Sequence, residues 1–286
     1  MAAKYTDYEV RRVLNIQRLH SGFEVHYDDS FGFGGEQHDF WEMVFVIDGY
    51  LTVSSDDRIY ELRKNDIVFH RPMEMHNLRV PSGKRAHLFI CSFETGGEIM
   101  GFFDRGVFHL RQDQREELIR VVEYMRSYAD KSYFDRSSPE YMLHWNDSVY
   151  YSQTVAGRLE LLLLMLIDEA ERVRPVRGGD AELFNRVVQT LLDCVSEPIS
   201  VPELARAHGV SISKLNKLFS GYAGIGVHKY HTGMRIRTAA RMIEEGVALS
   251  EVSDRLGWSN RNYFSQTFKR ETGLTPAEYR RAHTKS

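Results

Sequence analysis

The sequence has few of the features that mark secreted or membrane proteins. Its two cysteines, Cys91 and Cys194, lie far apart and lack the spacing of metal ligands, which predicts reduced thiols in a cytosolic protein. The longest aliphatic run, Leu161–Ile167, is far shorter than the ~20 residues that span a bilayer. The N-terminal residues have no apolar stretch before small residues, so no secretory signal is expected. We therefore expect a cytoplasmic protein without a membrane partner.

An excess of charge of one sign is also absent, since the formal net charge is −3 at pH 7. This average conceals an asymmetry. Residues 181–286 contain 15 Lys and Arg against 10 Asp and Glu, a balance of +5, which leaves −8 for residues 1–180. A basic half beside an acidic half indicates that only the C-terminal part meets the phosphates of a nucleic acid. At 286 residues, of which 42% are hydrophobic, the chain is long enough for two folded domains.

Hydrophobic periodicity divides the chain into regions. Between residues 23 and 94 the pattern is typical of strands, with alternation over His38–Ile47 and short β-type runs at Arg58–Leu62 and Asp66–Phe69. Many short strands with tight turns predict a small antiparallel barrel. Between residues 112 and 172 the period becomes helical. These helices pack either on one end of the barrel or against a second subunit, and the sequence does not decide between the two.

The C-terminal region contains a diverged internal repeat. The segment Phe219–Tyr230 aligns with Phe268–Tyr279, because in both a glycine follows the phenylalanine by five residues and a tyrosine follows it by eleven. Upstream of each copy, a small residue, a turn glycine and an apolar residue follow a helix-turn-helix pattern: Ala205, Gly209 and Leu215 in the first, Ser253, Gly257 and Tyr263 in the second. A helix over Val227–Glu245, about 28 Å long at ~1.5 Å per residue, would join the two units. That length is near the ~34 Å turn of DNA.

Residues 199–281 resemble the DNA-binding domain of the AraC/XylS family of transcription regulators. Arg235–Ile243 follows the connecting helix of that family, and Gly257–Arg280 follows its second-unit signature nearly from end to end. The resemblance implies a homodimeric activator that binds double-stranded promoter DNA, meets RNA polymerase and is not an enzyme. It also implies that Arg235 is structural and pairs with a neighbouring acid. Ser220 and Lys217 replace the usual Lys and Arg, so the first unit is less basic than is typical of the family.

The two helix faces predict which side chains read DNA. Leu215, Leu218 and Phe219 are expected to point inward from the first recognition helix, as are Tyr263, Phe264 and Phe268 from the second. The outward side chains that we expect to contact bases are Ser213, Lys214, Asn216 and Lys217, then Asn260, Arg261, Ser265 and Gln266. Those that we expect to contact phosphates are Lys229, Arg237 and Lys269.

Residues 32–80 resemble a cupin barrel, the sensor fold common ahead of this DNA-binding domain. Glu36-x-His38-x3-Glu42-x6-Gly49 follows the first cupin motif, with Glu in place of its first His, and Pro72-x3-His76 follows the second. On a strand, Glu36, His38, Phe40 and Glu42 share one face. With His76 they are the predicted effector site, which we expect to bind a sugar-like small molecule. Two imidazoles and two carboxylates also suit Zn²⁺, Mn²⁺ or Fe²⁺, so Glu36, His38, Glu42 and His76 are a candidate metal site, although no metal is required.

These observations predict a two-domain α+β protein. A cupin-like antiparallel β barrel occupies residues 1–110, with a helical dimerisation segment at 111–174 and a linker at 175–180. An all-α domain follows at 181–286, in which a long helix joins helix-turn-helix units at 201–220 and 249–270. The main interpretation is an effector-responsive regulator. The alternatives are a metal-binding cupin enzyme that carries a regulatory DNA-binding domain, and a constitutive DNA-binding protein whose barrel serves only for association.

Overall fold

A computed structural model describes residues 7–128 and 150–283 of the chain. An antiparallel β domain comes first and a helical region follows, which confirms the predicted α+β class. In the described part of the chain the strands are β1 (Asn15–Asp28), β2 (Trp41–Ser55), β3 (Arg58–Arg63), β4 (Asp66–His70), β5 (His76–Arg79), β6 (Arg85–Gly96), β7 (Val107–His109) and β8 (Glu171–Arg172). Every pair that these strands form is antiparallel.

The long strand β2 belongs to both sheets of the barrel. Its first part, Trp41–Gly49, pairs with β6 and β4, and its second part, Tyr50–Ser55, pairs with β3 and β5. Side chains alternate along a strand. Val44 and Val46 therefore lie in the barrel interior, while Met43 and Phe45 face the helices on the other side. Burial of both faces gives β2 its nearly continuous apolar sequence.

The predicted start of this strand is wrong. The sequence pattern predicts an extended strand from His38, whereas β2 begins at Trp41 and the chain bends at Asp39 and Phe40. Before the bend, Glu36 forms an isolated antiparallel bridge with His76. The bend lets the Glu36 segment cross to β5 while β2 stays paired with β6.

Two helices cover the outer face of the sheet. Helix α1 (Gln112–Tyr128) and helix α2 (Tyr151–Asp168) bury Leu118, Val122, Val155 and Leu162 against it. In the described residues, these apolar side chains of α1 and α2 are therefore buried against the barrel of the same chain. Residues 129–149, part of the predicted dimerisation segment, lie outside the described residues. The helices of the described chain include none with the length and apolar character that a membrane crossing needs.

In the described residues after β8, every regular element is a helix. After the 3-10 helix η1 (Glu98–Phe103) of the barrel and α1 and α2, the helices are α3 (Gly179–Asp193), α4 (Val201–Ala207), α5 (Ile212–Tyr222), α6 (Val227–Glu244), α7 (Leu249–Arg255), α8 (Arg261–Thr272) and α9 (Pro276–His283). One apolar core surrounds α3, α4 and α5, another surrounds α7, α8 and α9, and α6 contributes to both. The long central helix therefore holds the two units together.

The segment between the halves is paired with the barrel. Val173 N donates to Val107 O at 2.8 Å, and Val176 N donates to Ile59 O at 2.7 Å. Its proline, glycines and charges predict a linker, and these two backbone hydrogen bonds fix that linker along the barrel.

Candidate functional site

The first helix-turn-helix unit consists of α4 and α5. Gly209, in the turn, has a φ of 66°, a left-handed conformation that glycine adopts without the steric cost of a Cβ. Ser211 caps α5 by accepting a hydrogen bond from Lys214 N. Leu215, Leu218 and Phe219 are buried, as predicted for the inward face.

The outward face of α5 presents polar groups to solvent. Ser213, Asn216 and Lys217 are exposed. Lys214 is half-buried, and its Nζ lies 2.6 Å from an Asp180 carboxylate oxygen at the start of α3. Part of the positive charge on this face is therefore already balanced within the protein.

The second unit consists of α7 and α8. Asn260 is the N-cap of α8, and its Oδ1 accepts hydrogen bonds from Asn262 N at 2.8 Å and Tyr263 N at 3.1 Å. The structure thus gives Asn260 a capping role beside its predicted contact with a base. Arg261, Gln266 and Lys269 are exposed and Ser265 is half-buried.

The predicted inward position of Tyr263 is wrong, since its side chain is 55% exposed. The reason is the length of the turn. One residue separates Gly209 from the cap Ser211, whereas two separate Gly257 from the cap Asn260. The buried anchor of α8, four residues after its cap, is consequently Phe264.

The same shift adds two outward residues that the sequence analysis missed. Asn262 and Tyr263 lie two and three residues after their cap, in the positions that Ser213 and Lys214 occupy in the first unit. Both are exposed. Alignment of the two capping residues, Ser and Asn, instead of the two glycines would have found them.

The central helix α6 carries three basic residues considered in the sequence analysis. Lys229 is exposed, as its predicted phosphate contact requires. Arg235 does pack inside the domain, but its guanidinium lies 4.1 Å from the ring centroid of Trp258 and donates to Leu256 O. The expected acid partner is therefore replaced by an aromatic ring and a carbonyl.

Arg237, by contrast, faces the barrel. Its side chain is 10% exposed, its Nη1 donates to Gln37 Oε1 at 2.9 Å, and its Nη2 lies 3.4 Å from Asp56 Oδ1. This placement contradicts the predicted phosphate contact, because in this arrangement of the two halves the guanidinium is occupied by barrel groups.

The predicted effector residues converge inside the barrel. We call the group formed by Glu36, His38, Glu42 and His76 the acid–histidine cluster. Each residue offers one ligand atom, and these four atoms all lie within 4.8 Å of one another. His76 Nε2 is 3.4 Å from oxygens of both Glu36 and Glu42, and His38 Nε2 is 3.8 Å from Glu42. Glu36 is 43% exposed and opens the cluster to solvent.

Phe40 does not share a strand face with this cluster, contrary to the predicted alternation of side chains. It lies in the bend before β2, where its ring stacks on His38 at 4.0 Å and on His20 at 4.4 Å. It therefore supports the His38 imidazole from one side.

Two further buried residues extend the cluster. His70 stacks on His76 at 4.1 Å, and its Nδ1 lies 2.8 Å from Glu74 Oε1. Both have fully buried side chains. The sequence analysis missed them, although Glu74 stands between Pro72 and His76 in the second cupin motif.

The charges in the cluster are strongly coupled. Burial lowers the pKa of His38 and that of His70. Burial also acts to lower the pKa of His76, but Glu36 and Glu42 together raise it to about 10. Burial acts to raise the pKa of Glu42, and His76 holds it at about 2. The carboxylates therefore favour a positive charge between them.

The donor set fits a divalent metal ion. His38 Nδ1 lies 2.9 Å from Phe40 O and His76 Nδ1 lies 3.1 Å from Glu74 O. Such backbone contacts fix the ring and present Nε2 as the ligand. Among the described residues, the Nε2 atoms of His38 and His76 have no hydrogen-bond partner, although both atoms are buried. Two imidazole nitrogens and two carboxylates are ligands of Zn²⁺, Mn²⁺ and Fe²⁺.

Comparisons with known proteins agree with both halves of this description. Residues 20–111 match the family model of the AraC-like ligand binding domain, and residues 204–282 match that of a helix-turn-helix domain. An uncharacterized HTH-type transcriptional regulator, YfiF of Bacillus subtilis, is 22% identical over 264 residues, covering 85% of this chain and 77% of the relative. The HTH-type transcriptional activator RhaR of an Enterobacter species is 23% identical over 273 residues, covering 89% of each.

Among solved structures, the C-terminal domain of AraT, a response regulator from Geobacillus stearothermophilus, is 25% identical. The match covers 37% of this chain and 88% of that one, with a TM-score of 0.35. The two family matches lie on the two halves that the fold separates, and both relatives are named as transcription regulators. The chain belongs to the AraC family of DNA-binding transcription regulators that carry an N-terminal ligand-binding domain.

Proposed function

We propose that this regulator activates transcription in the cytoplasm in response to a small molecule bound at the acid–histidine cluster. The observation that carries the proposal is the position of this buried polar cluster, next to the face of the barrel that packs on α6. A ligand there is adjacent to the helix that joins both DNA-binding units. The protein acts as a regulator and not as an enzyme.

The effector that we propose is sugar-like. Carboxylates and imidazoles together offer acceptors and donors for ring hydroxyls, and Glu36 leaves the cluster open to solvent. Activation, through contact with RNA polymerase at a promoter, is supported by the name of the RhaR relatives, which are transcriptional activators.

Base contacts are assigned to the exposed polar residues of α5 and α8, and phosphate contacts to Lys229 and Lys269. Selection of duplexes from a random library by the full chain tests DNA binding, and a recovered consensus of two half-sites is expected. Failure to enrich any sequence would refute sequence-specific binding.

A thermal-shift screen against a carbohydrate library tests the effector, because a ligand that binds the folded protein raises the unfolding midpoint. The Glu42→Gln variant is the control for the site. A sugar that raises the midpoint of wild type and not of Glu42→Gln supports the proposal. No shift with any sugar would refute the sugar class.

We also propose a homodimer through α2. On this helix Leu161 and Leu164 are 47% and 42% exposed, while Leu159, Leu162 and Leu166 pack on the barrel. Paired exposed leucines on one helix suit contact with a second copy. Sedimentation of wild type and of the Leu161→Glu variant tests this, with a dimer expected for the first and a monomer for the second. A wild-type monomer at micromolar concentration would refute it.

A further inference from the structure

The end of the first recognition helix is held by the barrel. Tyr222, the last residue of α5, accepts two hydrogen bonds at its carbonyl oxygen, from Ser54 Oγ at 2.7 Å and from Asn77 Nδ2 at 3.0 Å. The two donors lie opposite each other on β2 and β5, and both residues are buried. Because the last carbonyls of a helix have no partner within it, the barrel supplies donors that α5 lacks.

Two glycines let the two backbones meet beside this carbonyl. A Cβ atom at Gly35, in the barrel, would lie 2.2 Å from Ala223 O. A Cβ atom at Gly224, in the turn between α5 and α6, would lie 2.6 Å from Phe33 O. Both distances are far below van der Waals contact, so a side chain at either position would push the barrel and this turn apart. We call residues 222–226 the α5–α6 turn.

The equivalent turn of the second unit is satisfied within its own unit. In the internal repeat Gly224 aligns with Gly273, and a Cβ atom at Gly273 would meet no atom of the described residues within 4 Å. Thr272 aligns with Ala223, and its hydroxyl donates to Phe268 O at 2.8 Å. The first turn has an alanine at this position and is bonded to the barrel instead.

The second unit meets the barrel through apolar packing. In the described residues, Met73 packs in the core that contains Trp258. Hydrogen bonds with the barrel, by contrast, join α3, α5 and α6. Apolar contacts have no preferred direction, whereas hydrogen bonds do. We therefore expect the barrel to orient the first unit more strictly than the second.

The residues that hold the α5–α6 turn are neighbours of the acid–histidine cluster. Gly35 directly precedes Glu36, and Asn77 directly follows His76. Glu36 N donates to His76 O at 2.9 Å and His76 N donates to Glu36 O at 3.0 Å, so the two segments run beside each other. A molecule bound between the side chains of Glu36 and His76 is therefore one residue away, along each segment, from a contact with the turn.

We infer that Ser54, Asn77 and Gly35 position the first helix-turn-helix unit for DNA by holding the α5–α6 turn, and that an effector at the acid–histidine cluster acts on DNA reading through this unit. The inference rests on the proposed function, since it names the unit that the effector regulates. The three residues are positioning residues, because none of them touches DNA.

The arrangement with the turn held is the one that reads DNA. In it the outward residues Ser213, Asn216 and Lys217 of α5 are exposed, so the barrel leaves the recognition face free. Release of the turn allows α5 to take other orientations. The apparent affinity of the first unit then falls with the fraction of molecules in which α5 is in place.

Amide hydrogen exchange of the full chain without DNA tests the hold on the turn. Ser54→Ala removes one donor, so residues 219–230 should exchange faster by about fivefold or more, as loss of one hydrogen bond permits. Residues 268–279, the matched repeat, should keep the wild-type rate. An unchanged rate at 219–230, or equal acceleration in both repeats, overturns the hold.

A pair of barrel glycines separates the contact from backbone strain. Gly35 and Gly83 have φ values of 63° and 70°, but a Cβ atom at Gly83 would meet no described atom within 4 Å. Both alanine variants are strained, and only Gly35→Ala should accelerate exchange at 219–230, again by about fivefold or more. The same acceleration in Gly83→Ala overturns the contact as its cause. If circular dichroism shows that Gly35→Ala is unfolded, Ser54→Ala decides.

Positioning is tested with a duplex recovered by selection. Asn216→Ala and Arg261→Ala first identify the base pairs that each unit reads. Gly35→Ala should then reduce discrimination by about fivefold or more at the base pairs of the first unit, and by less than about twofold at those of the second. Gly83→Ala should match wild type. Unchanged discrimination, equal losses at both units, or tighter binding by Gly35→Ala overturns positioning.

The link to the effector is tested with a carbohydrate recovered by the thermal-shift screen. At saturation it should change exchange at 219–230 by about fivefold or more and leave 268–279 unchanged, as a coupling between these two sites requires. No change at 219–230, or an equal change in both repeats, overturns the link. If the screen recovers no carbohydrate, the link fails together with the proposed effector, while exchange in the variants still decides whether the barrel holds the first unit.

Discussion

Arg261 begins the second recognition helix with an exposed guanidinium that lies 2.8 Å from Asp254 Oδ2. Exposed ion pairs contribute little, about 0–1 kcal/mol, so the arginine can exchange this partner for a guanine. We expect Arg261→Ala to lose discrimination at one position of the selected site, by about 1–3 kcal/mol or 5- to 150-fold. Competition binding with duplexes that vary at each position measures this.

The matched control is Lys269→Ala, on the same helix and also exposed. A phosphate contact carries no sequence information, so its loss should weaken all duplexes about equally and reduce the dependence of affinity on salt. Unchanged base preference in Arg261→Ala would remove that residue from the set that reads DNA.

Tyr263 and Phe264 are adjacent aromatic residues with opposite environments. Phe264 is 2% exposed, and its truncation to Ala should cost about 3–5 kcal/mol of unfolding free energy. Truncation of Tyr263, which is 55% exposed, to Ala should cost less than about 1 kcal/mol of unfolding free energy. Urea unfolding of both variants measures the difference. Equal losses would mean that Tyr263 is the anchor after all.

This pair also shows where prediction from the sequence ends at the residue scale. The inward residues of α5 were predicted correctly, because Leu215, Leu218 and Phe219 follow helical spacing from a turn of typical length. In the second unit the extra residue before Asn260 shifts the helix by one position. Both Tyr263 and Phe264 are aromatic, so the sequence pattern alone does not distinguish the buried one.

Helix α6 contains a histidine that should make the DNA-binding half sensitive to acid. His231 is 3% exposed, and burial lowers its pKa to about 4, with a smaller contribution from the nearby charge of Arg235. The unfolded chain, with an ordinary pKa near 6.5, then binds more protons between about pH 6.5 and pH 4. The stability that His231 contributes is complete above pH 6.5 and is lost as the pH falls through this range.

Replacement of this side chain by one that does not titrate removes the effect. We expect wild type to lose about 2–3 kcal/mol more unfolding free energy than His231→Gln between pH 7 and pH 4.5. Urea unfolding of both proteins at the two pH values provides the measurement. A difference between them that stays constant with pH would contradict the assignment to His231.

At the scale of elements, hydrophobic periodicity is sufficient to predict a helix or strand where the same face of the segment is buried along its whole length. The strands at Arg58–Arg63 and Asp66–His70, the connecting helix and both recognition helices lie where the sequence predicts them. The start of β2 was not predictable in this way. Alternation continues through His38, but the pairing of Glu36 with His76, forty residues away, bends the chain before Trp41.

At the scale of the whole molecule, the contact between the halves had no signal in the sequence. Arg237 and Gln37 are 200 residues apart, and each looks like an ordinary exposed polar residue of its own element. Tyr222 O similarly accepts hydrogen bonds from Ser54 at 2.7 Å and Asn77 at 3.0 Å. Composition predicts the linker but not its pairing with the barrel. Such contacts depend on how two folded surfaces meet, which local patterns do not encode.

Two buried tyrosines allow this contact to be tested separately from stability. Tyr230 OH donates across the interface to Asp56 O at 2.8 Å, whereas Tyr279 OH donates within the DNA-binding half to Glu244 at 2.7 Å. Both residues are 1% exposed. Removal of either hydroxyl in a Tyr→Phe variant should cost about 1–3 kcal/mol. Only Tyr230→Phe, however, removes a hydrogen bond between the barrel and α6.

A looser contact should expose the segment between the halves, where Arg177 is a trypsin site held along the barrel by the adjacent Val176–Ile59 hydrogen bond. We expect trypsin to cut Tyr230→Phe there several times faster than wild type under native conditions. Tyr279→Phe, which leaves the interface intact, should be cut at the wild-type rate. Equal acceleration in both variants would show that cleavage follows global unfolding, because of the two hydroxyls only that of Tyr230 bonds across the interface.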